Sequence, residues 1–196
     1  MLLVALCGLK RSGKDVAARY LCDYHGFAHR KISQQLKEIT RIAFDLSNDE
    51  LENELKDVVS PKWGVSPRVL MDFLGTHVFQ YELHSKLPDT FTVPNRCFWI
   101  DNVLLNDETI ANQTRVVLSD LRFKHELERI KQSLPNTNLV TIRIYRDGTS
   151  TDTLASEMEQ GDLPVDHVVY NNGTLSDLYA RLNAIMKDAQ GGIVLD

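Results

Sequence analysis

Leu2-Leu-Val-Ala-Leu-Cys-Gly-Leu-Lys-Arg-Ser-Gly-Lys-Asp15 is the stretch that decides how the rest of the chain is read. An apolar run of strand length ends at Gly8, and Gly13-Lys14 follows. Val16 with Tyr20, and Ala17 with Leu21, then recur four apart, as on one face of a helix. Strand, glycine loop, Gly-Lys and helix in that order form the pattern of a phosphate-binding loop. The glycines let the backbone curl around a polyphosphate without a Cβ in the way, and the amides at the helix start point at the anion. Lys14 adds a compact positive charge that can reach the outer phosphates. Where Ser or Thr usually holds Mg²⁺ through a hydroxyl, this chain has Asp15. A carboxylate is a hard oxygen ligand suited to Mg²⁺, but it brings negative charge towards phosphates, so it is tolerable mainly when the metal is present.

Working outward, the 196 residues suffice for one domain with an ordinary core. The hydrophobic fraction of 43% and charged fraction of 25% are those of a water-soluble globular chain. A net charge of −5 argues against a general nucleic-acid binder, and against that background Lys10, Arg11 and Lys14 are a local basic exception. Cys7, Cys22 and Cys97 show neither metal nor redox spacing, and nothing in them calls for disulfides. The apolar start is too short for a signal peptide or membrane span, and a cytoplasmic setting is expected.

Further strands are expected over 27–32, 115–120, 139–145 and 166–171. Helices are expected from Ser33 to about Leu46, from Ser47 or Asn48 to about Val59, from Ser66 past Tyr81, from Arg96 to Ala111, from Phe123 to Leu134, and after Thr174. In the helix opened by Ser33, the apolar face is read as Leu36, Ile39, Ile42, Ala43 and Leu46. In the one opened by Ser66 it is Val69, Leu70, Phe73, Leu74, His77, Val78 and Tyr81. Strands alternating with helices give an α/β, three-layer fold, a five-stranded parallel sheet flanked by helices. One domain over 1–196 is expected, with a helical insert at 45–112 and a polar lid at 146–160. Ligands of such sheets sit at the carboxyl ends of the strands, where Gly8–Lys14, Asp120–Arg122 and Arg146 would converge. Asp120 there could hold Mg²⁺ through water or orient an acceptor, and Arg122 could neutralise phosphate. The plainer alternative makes Asp120 a helix cap and pairs Arg122 with Glu126.

Gly8-Leu-Lys-Arg-Ser-Gly-Lys-Asp15, Pro67-Arg68 through Leu74-Gly75-Thr76, Phe98-Trp99, Ser119-Asp-Leu-Arg-Phe123 and Asp166 through Leu175 occur in this order. In this the chain resembles the deoxynucleoside monophosphate kinases of phages and large DNA viruses, over residues 2 to about 187. Phosphomevalonate kinases of animals share the first loop style and the Ser-Asp-x-Arg strand end. The Arg68 to Thr76 helix and the Phe98-Trp99 pair favour the nucleotide kinases. The resemblance implies phosphoryl transfer from ATP to a deoxynucleoside monophosphate, with Mg²⁺ as cofactor and no nucleic-acid polymer or membrane as partner. Whether the chain works as a monomer or a homodimer is left open.

The same resemblance implies roles. Gly8, Lys10, Arg11, Ser12, Gly13, Lys14 and Asp15 would bind ATP, with Lys14 on the β- and γ-phosphates and Arg11 bridging donor and acceptor. Asp15 and Asp120 would stand around Mg²⁺, while Arg122 and Arg146 clamp the transferring group. Asn172 and Gly173 would lie near the adenine. Lys37, Arg68 and Trp99 would meet the acceptor. Two other functions compete: a kinase of another small phosphorylated acceptor, phosphomevalonate or dephospho-coenzyme A, and an ATP-binding module that transfers nothing.

Overall fold

The computed structural model describes residues 1–52, 54–94, 96–105, 110, 112–149 and 162–191. The chain divides into two compact units, one built from residues 1–31 and 103–196, the other from residues 32–102.

The first unit holds the sheet. Strand β1 (Leu2–Cys7) is buried along its whole length, so both of its faces are covered and its sequence is an unbroken apolar run. It lies between β3 (Arg115–Leu118) and β4 (Asn138–Tyr145). β2 (Ala28–Arg30) pairs with β3, and β5 (His167–Tyr170) with β4, giving the order β2-β3-β1-β4-β5 with every pairing parallel. This is the five-stranded parallel sheet expected from the alternation of strands and helices. Helix α1 (Lys14–His25) turns Ala17, Ala18, Tyr20 and Leu21 inward. These meet Leu6, Val117, Ile142 and Val169 from the strands and Leu178 and Leu182 from the C-terminal helix (Leu175–Gly191) in one core. Gly26, at φ 69°, ends α1 in the left-handed conformation that a glycine adopts without cost.

The second unit is helical. Its first helix (Gln34–Ala43) stops before the expected Leu46, because Asp45 takes φ 50° and the Leu46 N–H turns back onto the Arg41 carbonyl at 2.9 Å. Ile42 is consequently 71% exposed, while Leu46 packs with Leu51 and Leu70. Ser47 caps the next short helix (Asn48–Leu51) reciprocally with Glu50.

The stretch opened by Ser66 departs most from expectation. It is α-helical over Pro67–Asp72, π-helical over Phe73–Glu82 and α-helical again over Leu83–Lys86. A π-helix bonds i to i+5, which shifts the inward repeat from four towards five. From Leu70 onward the buried positions are Leu70, Gly75 and Gln80, five apart, whereas Val69, Phe73 and Tyr81 are about half exposed. Gly75 is required there: a Cβ would stand 2.6 Å from Leu36 Cδ2. The helix expected over 96–111 is seen over Phe98–Leu105, and the rest of that span, apart from 110, lies outside the described residues or beyond the helix. Of the lid expected at 146–160, residues 150–160 lie outside the described residues.

Candidate active site

The loop after β1 has the geometry that its composition predicts. Gly8 and Gly13 sit at φ 139° and 106°, a region that side-chain-bearing residues rarely adopt. Space forbids a side chain as well. A Cβ on Gly8 would be 2.2 Å from the Ile144 carbonyl oxygen, and one on Gly13 would be 2.4 Å from Asn171 Nδ2. Arg11 holds φ 65° at the exposed crown of the loop. Gly13 is the N-cap of α1 and has no side chain to cap it. The positive end of the helix dipole, where anions are favoured, lies at this turn.

Lys14 does not stand out into solvent, the orientation expected of a phosphate-seeking cation in an empty loop. It is half-buried and folds back, donating to the Gly8 and Leu9 carbonyls at 2.6 and 2.7 Å. Ser12 is buried beneath the loop and Lys10 is half-exposed.

A second element approaches from β3. The segment after Leu118 is tied into the sheet by Ser119 N–H to the Arg30 carbonyl at 3.3 Å and Leu121 N–H to the Leu6 carbonyl at 3.1 Å. These bonds place Asp120 beside the end of β1. The sequence offered a pairing of the Arg122 side chain with Glu126. The structure instead has the Glu126 carboxylate accepting from the main-chain N–H groups of Arg122 and Phe123 at 2.9 and 3.0 Å. Glu126, not Asp120, thus satisfies the start of the helix Lys124–Ser133. Burial pushes the Glu126 carboxyl up to about 7, against the pull of those two amides.

Polar groups cluster between these elements. His29 on β2 shares a hydrogen bond with Ser119 Oγ at 2.7 Å. Lys31 Nζ lies 2.7 Å from Asp15 Oδ1. Burial holds the His29 imidazole below its usual value, helped by the Lys31 charge and opposed by Asp15 and Asp120. Both carboxylates expected to attend Mg²⁺ are therefore near the same imidazole. They fit the ion: Mg²⁺ on a nucleotide takes one or two carboxylates and fills its other positions with phosphate oxygens and water. The Asp15 side chain, 70% exposed, has room to turn to such an ion.

The far edge of the loop is held by a residue the sequence did not single out. Asn171, directly after β5, donates from Nδ2 to the Ser12 carbonyl at 2.8 Å. The neighbouring Asn172 is engaged elsewhere, exchanging two hydrogen bonds of 2.8 Å with Asp147 and so joining the turns that follow β4 and β5. Gly173 precedes Thr174, which caps the last helix with Asp177. Arg146 is exposed at the end of β4. Only strand order could have revealed Asn171, because its partner is remote in sequence.

In the helical unit, Lys37 meets Glu52 Oε1 at 2.5 Å. Arg68 is paired with Asp57, its Nη2 reaching Oδ2 at 3.2 Å, and not with Asp72 one turn on. Trp99 is 4% exposed, and its indole N–H donates to the Gly75 carbonyl at 2.9 Å. Its ring packs on Phe79 and Phe98. Its one polar atom is used inside the unit, and its surface is core.

The fold recurs in other chains. A structure assigned as a kinase from Chloroflexus aurantiacus superposes with a TM-score of 0.51 at 13% identity, over 98% of this chain and 97% of that one. TT1252 from Thermus thermophilus does so at 0.50 and 15% identity, over 95% and 97%. At such identities the likeness speaks for the fold alone. No family model matches the sequence. A deoxynucleotide monophosphate kinase of Escherichia phage RB69 is 27% identical over 150 residues, 73% of this chain and 53% of the phage protein. A mimivirus protein from Acanthamoeba polyphaga mimivirus, assigned as a deoxynucleotide monophosphate kinase, is 31% identical over 198 aligned positions, 96% of this chain and 98% of its own length. With nearly the whole of both chains aligned at that identity, and the phosphate loop and acid-arginine turn placed as described, the chain belongs to the deoxynucleotide monophosphate kinase family.

Proposed function

We propose that this protein transfers the γ-phosphoryl group of ATP to the phosphate of a deoxynucleoside monophosphate, releasing ADP and the diphosphate. The observation that carries the reading is the loop between β1 and α1. Two glycines at which a Cβ would collide shape the turn into the helix start, with Lys14 curled back onto the Gly8 and Leu9 carbonyls. Membership of the kinase family supplies the acceptor class.

The chemistry asks little of a general base. The acceptor is itself a phosphate monoester, with a second pKa of about 6, so its attacking oxygen is ionised near neutral pH. The obstacle is repulsion between two polyanions, and the remedy is alignment and positive charge. Lys14 would leave the Gly8 and Leu9 carbonyls for the β- and γ-phosphates. Arg11, raised on its left-handed backbone, would lie between donor and acceptor. Arg122 and Arg146 would draw charge from the transferring group. Asp15 and Asp120 are the residues that would hold Mg²⁺, which when bound neutralises phosphate oxygens.

Lys10 and Ser12 complete the loop around the donor phosphates. Asn172 and Gly173, at the turn after β5, are proposed to border the adenine. On the helical unit, Lys37 and Arg68 are proposed to bind the acceptor phosphate, each exchanging a carboxylate partner for the incoming anion. Trp99 would serve the acceptor side by fixing the Gly75 turn.

A coupled assay of ADP release tests the reading with deoxynucleoside monophosphates, their ribonucleotide counterparts, mevalonate phosphate and dephospho-coenzyme A as acceptors. Turnover with at least one deoxynucleotide, well above water hydrolysis, is expected. Turnover with mevalonate phosphate or dephospho-coenzyme A and with no nucleotide would replace it. No acceleration by any acceptor would make the chain an ATP-binding module.

A further inference from the structure

Lys31, just past the end of β2, belongs neither to the phosphate loop nor to the acid-arginine turn. Its ammonium nevertheless lies 2.7 Å from Asp15 Oδ1, across from β2 to the first turn of α1. The pair is wet: the side chains are 33% and 70% exposed for Lys31 and Asp15. A contact so exposed contributes little to folding. Its position matters more, because it covers the one negative charge that the loop places among its own anion-binding amides.

That charge poses an electrostatic problem. Asp15 sits where polyphosphate must enter, and two anions a few ångströms apart repel appreciably at the effective dielectric of a protein surface. A Ser or Thr at that position would bring no such cost. The Lys31 ammonium, 2.7 Å from Asp15 Oδ1, is placed to screen that carboxylate.

We propose that Lys31 is the exchangeable counter-charge of Asp15: it screens the carboxylate in the metal-free protein, admits metal-free ATP, and gives Asp15 up to Mg²⁺ in the loaded site. This rests on the reading of Asp15 as a metal-side residue. Lys31 is then a positioning residue that sets how strongly nucleotide and metal depend on one another. His29, bonded to Ser119, keeps the end of β2 in place for it. The exchange explains how an acid is tolerated in a phosphate loop: one cation or another always faces it.

The test measures ATP affinity by calorimetry on the full chain, with excess Mg²⁺ and with a chelator, for the parent protein, Lys31→Met, Lys31→Arg, Asp15→Asn and the double variant. Lys31→Met is expected to weaken metal-free ATP binding about tenfold, a loss of the size expected for one unscreened charge at close range. The same variant should leave Mg²⁺·ATP affinity within about twofold, because the metal has replaced Lys31 there. Lys31→Arg should behave as the parent. In the Asp15→Asn background, Lys31→Met should change neither affinity.

Equal weakening with and without metal would overturn the proposal and make Lys31 a direct phosphate contact. Persistence of the effect beside Asn at position 15 would overturn it too. If Asp15→Asn alone leaves the metal dependence of ATP binding unchanged, the metal role of Asp15 falls. If that dependence changes while Lys31→Met has no effect, only the counter-charge falls. Thermal unfolding of each variant within a few degrees of the parent confirms that folded proteins are being compared.

Discussion

Asn171 reaches from the end of β5 to the Ser12 carbonyl, and its side-chain nitrogen stands 2.4 Å from where a Cβ on Gly13 would be. The phosphate loop is thereby clasped to the neighbouring strand, and glycine is compulsory at its last turn for a reason of space as well as of φ. Asn171→Ala should lose about 1 kcal/mol of stability, the usual net value of one such bond. It should also weaken ATP binding severalfold, because the loop must then be ordered by its ligand. Gly13→Ala should cost more, about 1–3 kcal/mol in backbone strain alone, and abolish ATP binding. Thermal unfolding with calorimetric ATP titration checks both. Parent-like values for Asn171→Ala would mean the clasp is idle.

Lys14 is held by two carbonyl oxygens of the loop it serves. Removing it exposes those carbonyls, which water can then satisfy. Lys14→Met should therefore keep the fold and lose on the order of 10²–10³ in kcat, the usual consequence of deleting one preorganised donor to a transition-state oxygen. Circular dichroism and single-turnover kinetics check the two halves separately. A collapse in thermal stability would identify the contact as structural.

Glu126 is buried and holds the Asp120–Arg122 turn through the two amides it accepts from. Its carboxyl titrates near 7 in the folded chain against 4.5 for an unperturbed glutamate. Between those values the unfolded chain has released a proton that the folded chain keeps, so stability falls as pH rises from about 4.5 to about 7. The shift corresponds to roughly 3 kcal/mol at most. Glu126→Gln keeps an acceptor for the amides and removes the titration. It should flatten the decline in melting temperature between pH 5 and pH 8, and an unchanged slope would place the titration elsewhere.

Arg68 and Lys37 each face an acid on their own unit. If they exchange these for the acceptor phosphate, Arg68→Met should raise KM for the deoxynucleoside monophosphate at least tenfold and leave ATP affinity alone. Steady-state kinetics with each substrate varied in turn separates this from a folding defect, which would lower the yield of active protein without a selective change in KM.

How much of this the chain announces in its sequence depends on distance along it. Gly8, Gly13, Lys14 and Asp15 are legible because strand, turn and helix follow one another without interruption, and Asp120 because it ends an apolar run. Asn171 and Lys31 are not legible in that way. Their contacts with Ser12 and Asp15 arise only once β5 and β2 have taken places on either side of β1, and a linear pattern does not carry strand order. The buried face of the helix opened by Ser66 differs from its sequence pattern for another reason. The i to i+5 bonding over Phe73–Glu82 moves the buried set to Leu70, Gly75 and Gln80, and no periodicity of four anticipates that. Trp99 looked like a ligand-facing aromatic, yet its indole N–H is taken by the Gly75 carbonyl that the same stretch presents.

The account stands on the curl between Gly8 and Asp15 being the seat of the donor phosphates. A crystal structure with Mg²⁺, a non-hydrolysable ATP analogue and a deoxynucleoside monophosphate measures this directly. The account predicts the β-phosphate within about 3 Å of the main-chain amides of Gly13 and Lys14, with the Lys14 ammonium lifted off the Gly8 and Leu9 carbonyls onto phosphate oxygen. A triphosphate bound elsewhere, with Lys14 still on those carbonyls, would contradict it.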